Sequence, residues 1–202
     1  MPKIVDKKKK AEAISDAALK VFREHGYNKT RMVDIAQMAG IGKGTLYEYF
    51  TDKADILRFA FDQYFSVFSE GISEAMKEKT KASEKILSLI DFALQHAAEW
   101  EDHCAIYLDY FGTARTEEQK QFSLTSIYAE MKDILESLIK EARLAGEIDE
   151  HFDPGAVAEL LLSIYDGIIL HKIFAGRRLN MDLMRKTTMA LITQGFLISK
   201  SE

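Results

Sequence analysis

The sequence predicts an all-α fold in two parts, and three observations carry this. Apolar residues recur at three- and four-residue spacing along most of the chain. Only two prolines occur, Pro2 and Pro154, so long helices can run uninterrupted. The charge is also unevenly divided. The total is −5, yet residues 1–50 hold ten Lys or Arg against six Asp or Glu, a balance of +4. The rest then sums to about −9, which sets a basic head on an acidic body. At 202 residues and 47% hydrophobic content, the chain has apolar material for one large core or two small ones.

The first helix is expected from about Lys8 to His25, with Ile14, Ala18, Val21 and Phe22 inward. The run Lys7 to Lys10 reads either as a solvated, frayed end or as an arm that touches phosphate. The stretch from Thr30 to Lys53, TRMVDIAQMAGIGKGTLYEYFTDK, is the most informative. Ile35, Ala36 and Ala39 make one apolar face of a short helix, and Gly40 stops it where a left-handed residue is wanted. A second short helix follows from about Gly42 to Phe50, with Leu46 and Phe50 inward. Lys43 and Tyr47 share another face, with Thr45 beside them. Two short helices joined by a Gly-containing turn, the second basic and hydroxylic outside, suit a reader of the DNA major groove.

These residues carry a resemblance to the TetR-type transcriptional repressors. The matching positions are Gly26-Tyr27, Thr30, Asp34-Ile35-Ala36, Ala39-Gly40-Ile41, Gly44-Thr45-Leu46-Tyr47, Tyr49-Phe50 and Lys53. They span about residues 7 to 60, while the remainder matches only in length and helical character. The resemblance implies a three-helix helix-turn-helix head, residues 1–52. A long helix then joins it to a C-terminal helical ligand-binding and dimerisation domain, residues 53–202.

Roles follow for the DNA-facing side chains. Thr30 can cap the second helix, whose N-terminus can hold a phosphate. Arg31 can reach phosphate as a charge. Lys43 lies in the first turn of the recognition helix, where a lysine can donate to guanine O6 and N7. Gly44 lets the backbone approach DNA closely. Thr45 can offer its methyl to thymine or its hydroxyl to phosphate. The resemblance implies that Tyr47 and Tyr49 donate to phosphate, with a half-buried core role open for Tyr49. Lys53 is expected to grip phosphate from the start of the fourth helix. One departure from the family pattern is Gly42, where a capping Ser is frequent; glycine there costs only a few tenths of a kcal/mol.

The body reads as helices throughout. The fourth helix is expected to start near Thr51 or Asp52 and to run through Leu57, Phe61, Tyr64, Phe65, Phe68 and Ile72. That is roughly 25 residues, on the order of 40 Å. Further helices are expected near Ala82–Trp100, His103–Thr113 and Glu117–Ala145, the last ended by Gly146. Asp153-Pro154 is a start signal. From Ala156 to Phe174 the chain is nearly apolar all round, so more than one side must be covered. The last helix is expected from about Asp182 to Ser199, carrying Leu183, Met184, Leu191, Ile192, Phe196 and Leu197. These two helices are expected to pair with their copies as a four-helix homodimer interface, through Leu161, Ile164, Ile168, Ile169, Leu191 and Phe196. A purely intramolecular core is the alternative.

Between the helices a ligand cavity is expected. Trp100, Tyr107, Tyr110, Phe111, Tyr128 and Tyr165 would give it apolar wall, and His103, Asp166 or His171 polarity. Asp166 belongs either to that cavity or to the dimer seam. His96, His103 and Cys104 have poor ligand spacing for zinc, so no metal or cofactor is expected. Nothing resembles a nucleophilic triad or a phosphate-cradling loop, so no enzyme activity is expected. One cysteine, no secretory signal and no long uncharged apolar run suit a bacterial or archaeal cytoplasm, with a place at the nucleoid. The expected function is a ligand-responsive repressor that binds a palindromic operator as a homodimer. A small apolar or aromatic effector would release it. A helical ligand carrier or enzyme, and an effector-independent architectural DNA-binding protein, are the alternatives.

Overall fold

The computed structural model of the protein describes residues 7–112, 124–175 and 178–195. The described residues form nine helices and no strand element. They are α1 (Lys7–His25), α2 (Met32–Met38), α3 (Lys43–Tyr47), α4 (Lys53–Met76), α5 (Ala82–Gln95), α6 (Ala97–Phe111), α7 (Thr125–Leu144), α8 (Pro154–Ala175) and α9 (Met181–Gly195). The chain divides into two compact units. The first takes Met1–Val67 and Asp102–Phe122, the second Phe68–Glu101 and Ser123–Glu202. Helices α4 and α6 therefore contribute to both units, and the head takes in more chain than a helix-turn-helix alone.

In the first unit α1 buries one stripe, Ile14, Ala17, Ala18, Val21 and Phe22, at helical spacing. Helix α2 packs on α1, and α3 on α2. Gly40, at φ +64°, turns the chain between α2 and α3. The Ile41 N–H can then reach back to the Ala36 carbonyl at 3.0 Å. Only a residue without Cβ takes that conformation at no steric cost. Helix α3 is shorter than the sequence suggests. It ends at Tyr47, residues 48–49 form a turn, and Phe50 still donates its N–H to the Leu46 carbonyl at 3.1 Å. Asp52 is the cap of α4, accepting the Asp55 N–H at 2.8 Å. Asp55 in turn accepts from the Thr51 N–H and hydroxyl at 3.0 and 3.2 Å.

In the second unit α7 packs against α5 and α8, and α9 against α5. Ile86, Leu135, Ile139, Ala158 and Leu161 lie at the centre of its core. The Arg185 guanidinium ties α9 to α5 through two bonds to Asp91, at 2.7 and 2.9 Å, and holds that carboxyl below its usual range. Asp153 caps α8 by accepting the Ala156 N–H at 2.8 Å.

The expected helix over Ala82–Trp100 is two helices in the structure. His96 leaves helical geometry at φ −94°, ψ 9°. Its ring stacks on Phe92 at 4.1 Å, and Nδ1 sits 2.9 Å from the Phe92 carbonyl, where it competes for a helix acceptor. The break expected near residues 101–102 lies inside α6. Part of the helix expected over Glu117–Ala145 falls outside the described residues; α7 is described from Thr125. Residues 196–199 of the expected last helix, with Phe196, also lie outside them. No helix of the described residues is long and apolar enough to cross a membrane.

Helix α8 is apolar on opposite faces with different duties. Val157, Ala158, Leu161, Ile168 and Ile169 are buried inside their own subunit. Leu161, Ile168 and Ile169 were expected to meet a partner copy; their phase on the helix turns them into the subunit's own core instead. The outer stripe is Leu160, Ile164, Leu170 and Phe174, the last two 41% and 79% exposed. Helix α9 adds Leu183 and Leu191, which are 61% and 67% exposed. Ile164 and Leu191 lie on the outer faces of the two helices.

Candidate nucleic-acid interface

The interface is built on α3. Gly42 opens this helix in extended geometry, and the Leu46 N–H returns to the Gly42 carbonyl at 3.1 Å. Buried Leu46 and Phe50 fix which face looks out. Lys43 and Tyr47 share that outer face, with the ammonium 5.8 Å from the centre of the Tyr47 ring. Nothing lies within 4 Å of where a Gly44 Cβ would stand, so the backbone there is open to approach. Thr45 and Tyr49 are half-buried. The result is a short helix with one cation, a hydroxyl, a phenol and bare backbone facing outward, a set of donors suited to a groove edge and its phosphates.

Three expected residues have other partners. Thr30 is buried, and its hydroxyl donates back to the Gly26 carbonyl at 2.8 Å. It closes the turn after α1 and does not cap α2. Arg31 takes the N-cap position of α2, and Asp34 accepts its backbone N–H at 2.9 Å. The Arg31 guanidinium also forks onto Asp34, from Nε at 3.2 Å and Nη2 at 2.9 Å, and holds that carboxyl below its usual range. The arginine side chain remains largely exposed, so its outer N–H groups can still turn to phosphate. Lys53 points inward. Its Nζ donates to the carbonyls of Tyr27, Asn28 and Thr30 at 2.7, 3.2 and 3.2 Å. Those three bonds use all three protons of an ammonium, so Lys53 offers none to a phosphate in this arrangement.

The expected effector-lining residues fall into two groups, one in each unit. In the first unit α6 turns its aromatic face toward α4. His103 meets Tyr64 and Phe61 at 4.6 and 5.7 Å, and Tyr107 meets Phe61 at 5.9 Å. Phe111 stacks on Tyr107 at 5.7 Å. Tyr110 is buried edge-on against Tyr27 at 5.2 Å, as a core ring. In the second unit Trp100 is buried and Tyr165 packs against the core. Tyr128 donates to Asp166 at 2.7 Å across α7 and α8. Burial raises the Asp166 pKa, and that hydrogen bond partly offsets it. His171 is exposed and shares the outer face of α8 with Leu170 and Phe174. The second unit also carries an open groove of about 1090 Å³. Met76, Ile134 and Leu138 give it apolar surface, Lys77, Lys79 and Lys85 one charge, Glu130 and Asp133 the other.

Two features escaped the sequence reading. The Asn28 amide donates to the Asp109 carboxylate at 2.7 Å, across 81 positions, and no local pattern announces it. The outer stripe of α8 was within reach of a wheel projection, once the inward set was assigned.

Comparison with known proteins agrees with this geometry. Residues 14–59 match the family described as bacterial regulatory proteins of the tetR family. Residues 82–196 match the C-terminal family of BetI-type transcriptional repressors. The chain is 26% identical over 189 residues to a fatty acid metabolism regulator protein of Bacillus subtilis, covering 94% of this chain and 96% of that one. The structure of the transcriptional regulator FadR from Bacillus subtilis in complex with stearoyl-CoA superposes with TM-score 0.76, at 26% identity, over 91% and 98% of the two chains. A regulator from Saccharomonospora viridis in complex with choline shares the fold, with TM-score 0.81 at 18% identity over 95% and 100%. With both family matches covering its head and body, the chain belongs to the TetR family of ligand-responsive transcriptional regulators, which are not enzymes.

Proposed function

We propose that this regulator represses by holding a palindromic operator as a homodimer, and that an acyl-chain effector with an anionic head releases it. The outward face of α3 carries the operator part of this reading: Lys43, Gly44, Thr45 and Tyr47 face out while Leu46 anchors the helix. Lys43 reads a base edge, Thr45 touches a thymine methyl or a phosphate, and Tyr47, Tyr49 and Arg31 donate to phosphate. Two such heads must enter successive major grooves about 34–36 Å apart, which requires a dimer.

The dimer surface is the outer stripe of α8 and α9. Leu160, Ile164, Leu170, Phe174, Leu183 and Leu191 are large apolar side chains left exposed on these two helices, and exposed apolar patches mark contact surfaces. A second copy offers the same stripe, so an isologous four-helix contact covers both.

For the effector, the Bacillus relative that was crystallised with stearoyl-CoA aligns over nearly the whole chain. The groove of the second unit offers apolar surface from Met76, Ile134 and Leu138 beside three lysines, with Glu130 and Asp133 also on its wall. The effector shifts the DNA-competent population only by its differential affinity for the two states. Thermal shift of the free protein with stearoyl-CoA, coenzyme A and choline tests this, followed by DNA release read by fluorescence anisotropy. Stearoyl-CoA is expected to raise the melting temperature and release DNA. By linkage, DNA then weakens stearoyl-CoA binding by the same factor. A response to choline alone would overturn the acyl assignment and leave the DNA-binding family intact.

A further inference from the structure

We propose that Glu48 is a specificity-determining residue. Its carboxylate reads the amine of a cytosine in the major groove and disfavours duplexes that lack one there. The inference rests on the reading of α3 as the helix that enters the groove.

Helical geometry runs one residue past Tyr47. Glu48 is the C-cap of α3 at φ −72°, ψ −20°, and its N–H returns to the Gly44 carbonyl at 3.2 Å. Leu46 and Phe50, both buried, fix the inward direction. At about 100° per residue, the direction opposite their midpoint falls on Glu48. Gly44 precedes it by one turn on the same side. Lys43, Gly44, Tyr47 and Glu48 are all exposed, whereas Thr45 and Tyr49 are half-buried. Nothing stands within 4 Å of where a Gly44 Cβ would be. The centre of the outward face is thus one acidic side chain beside bare backbone, with Lys43 and Tyr47 to one side and Thr45 to the other.

The fold gives this carboxylate no other duty. An acid at a helix C-terminus lies at the disfavoured end of the helix dipole. Among the described residues no ion pair or side-chain hydrogen bond holds it. A groove walled by phosphates repels a carboxylate unless a donor meets it. In the major groove guanine shows only acceptors, and thymine an acceptor and a methyl. Adenine shows a donor beside an acceptor. An ionised carboxylate only accepts, so one of its oxygens would face adenine N7 unpaired. Cytosine offers its N4 amine alone. Lys43 lies about 7.5 Å of helix rise away, so the two charges address different base pairs.

The test uses the full chain and the tightest duplex recovered from a random pool with the native protein, beside a random duplex of equal length. Each C·G pair of the selected duplex is replaced in turn by T·A and by A·T, in both halves. Affinities are read by fluorescence anisotropy across a salt series. At one C·G pair the native chain is expected to lose about tenfold on either replacement. Glu48→Ala should bind all three versions alike. It should also bind the random duplex more tightly than the native chain does at low salt, a gain that shrinks as salt screens the charge. Glu48→Gln carries an acceptor and a donor, the pair that adenine matches, so it should bind the A·T version as well as the C·G one. Lys43→Ala should bind more weakly but keep the native discrimination at that pair. The proposal is overturned if Glu48→Ala keeps the native discrimination at every C·G pair, or gains nothing on the random duplex. It is overturned too if Glu48→Gln behaves as the native chain does, or if Lys43→Ala and not Glu48→Ala erases the discrimination. If both alanine variants bind every duplex as the native chain does, α3 is not the reading helix, and the reading beneath the proposal fails with it.

Discussion

Helices α3 and α8 both hold one face in a core and turn the other outward, but the outward faces differ in kind. On α3 buried Leu46 anchors the helix while Lys43, Thr45 and Tyr47 are presented. On α8 Ile168 and Ile169 are the anchors, and Leu160, Leu170 and Phe174 are presented. A polar outward face with one cation keeps its hydration until a phosphate-lined groove replaces it. An apolar outward face has no such resting state in water and calls for another apolar surface. The chemistry left outside the core thus sets what kind of surface can cover each helix.

The largest difference is expected when a charge is moved by one residue along α8. Ile169 is 1% exposed, so Ile169→Glu places an unpaired carboxylate inside the subunit. That is expected to cost roughly 4–5 kcal/mol or more and to unfold the chain. Leu170→Glu, on the outer face, should leave a helical, folded chain that sediments as monomer and has lost palindromic DNA binding. Circular dichroism and sedimentation separate the two outcomes; equal behaviour of the pair would erase the distinction between the faces.

On α3 the matching change is Lys43→Ala. It should weaken the selected duplex by about 1–3 kcal/mol and relax preference at one base pair. Equal weakening of random duplexes in a titration would make Lys43 a phosphate contact only.

Asp166 sharpens the picture of the α8 flank. Its carboxyl has a pKa above the usual value because of burial, so the native state resists its charge. The resulting penalty is fully present above the native pKa. It fades as pH falls to the ordinary value of 3.8. Asp166→Asn keeps an acceptor for the Tyr128 hydroxyl and removes the charge. Melting curves should show the variant more stable at neutral pH, with the gap closing in acid. A gap of constant size would point to packing as the cause.

The smallest expected effect is at Gly42. Gly42→Ser adds a side-chain acceptor at the N-cap of α3 and should stabilise the head by a few tenths of a kcal/mol. Chemical denaturation would detect this as a small rise in midpoint at unchanged slope.

Most of the helices were legible in the chain because their signals are local. Periodic apolar residues, Gly40, Gly146 and Asp153-Pro154 each act within a few positions, and α1, α2, α4, α7 and α8 follow them. The break at His96 was not legible, since it depends on an imidazole meeting the carbonyl one turn back. The outward face of α3 was legible for the same reason as the helices: Leu46 and Lys43 differ in polarity at fixed helical phase. Which aromatic rings line a ligand site was not. Aromatic rings serve equally as wall or as core, and Tyr110 proves to be core against Tyr27.

Residue type and order alone make this protein helical and basic at its head, with a turn and an outward cation at the spacing of a groove reader. Those properties depend on residue type and on the 3.6-residue period, both written along the chain. Where Lys53 points, and which residues of α8 belong to the subunit's own core, follow from packing between distant segments. Partners such as Asn28 and Asp109 stand 81 positions apart. Whether a lysine faces water or three carbonyls, and whether an isoleucine faces a neighbour or solvent, depends on what packing brings opposite it. That is a property of three-dimensional contact, for which the chain carries no local code.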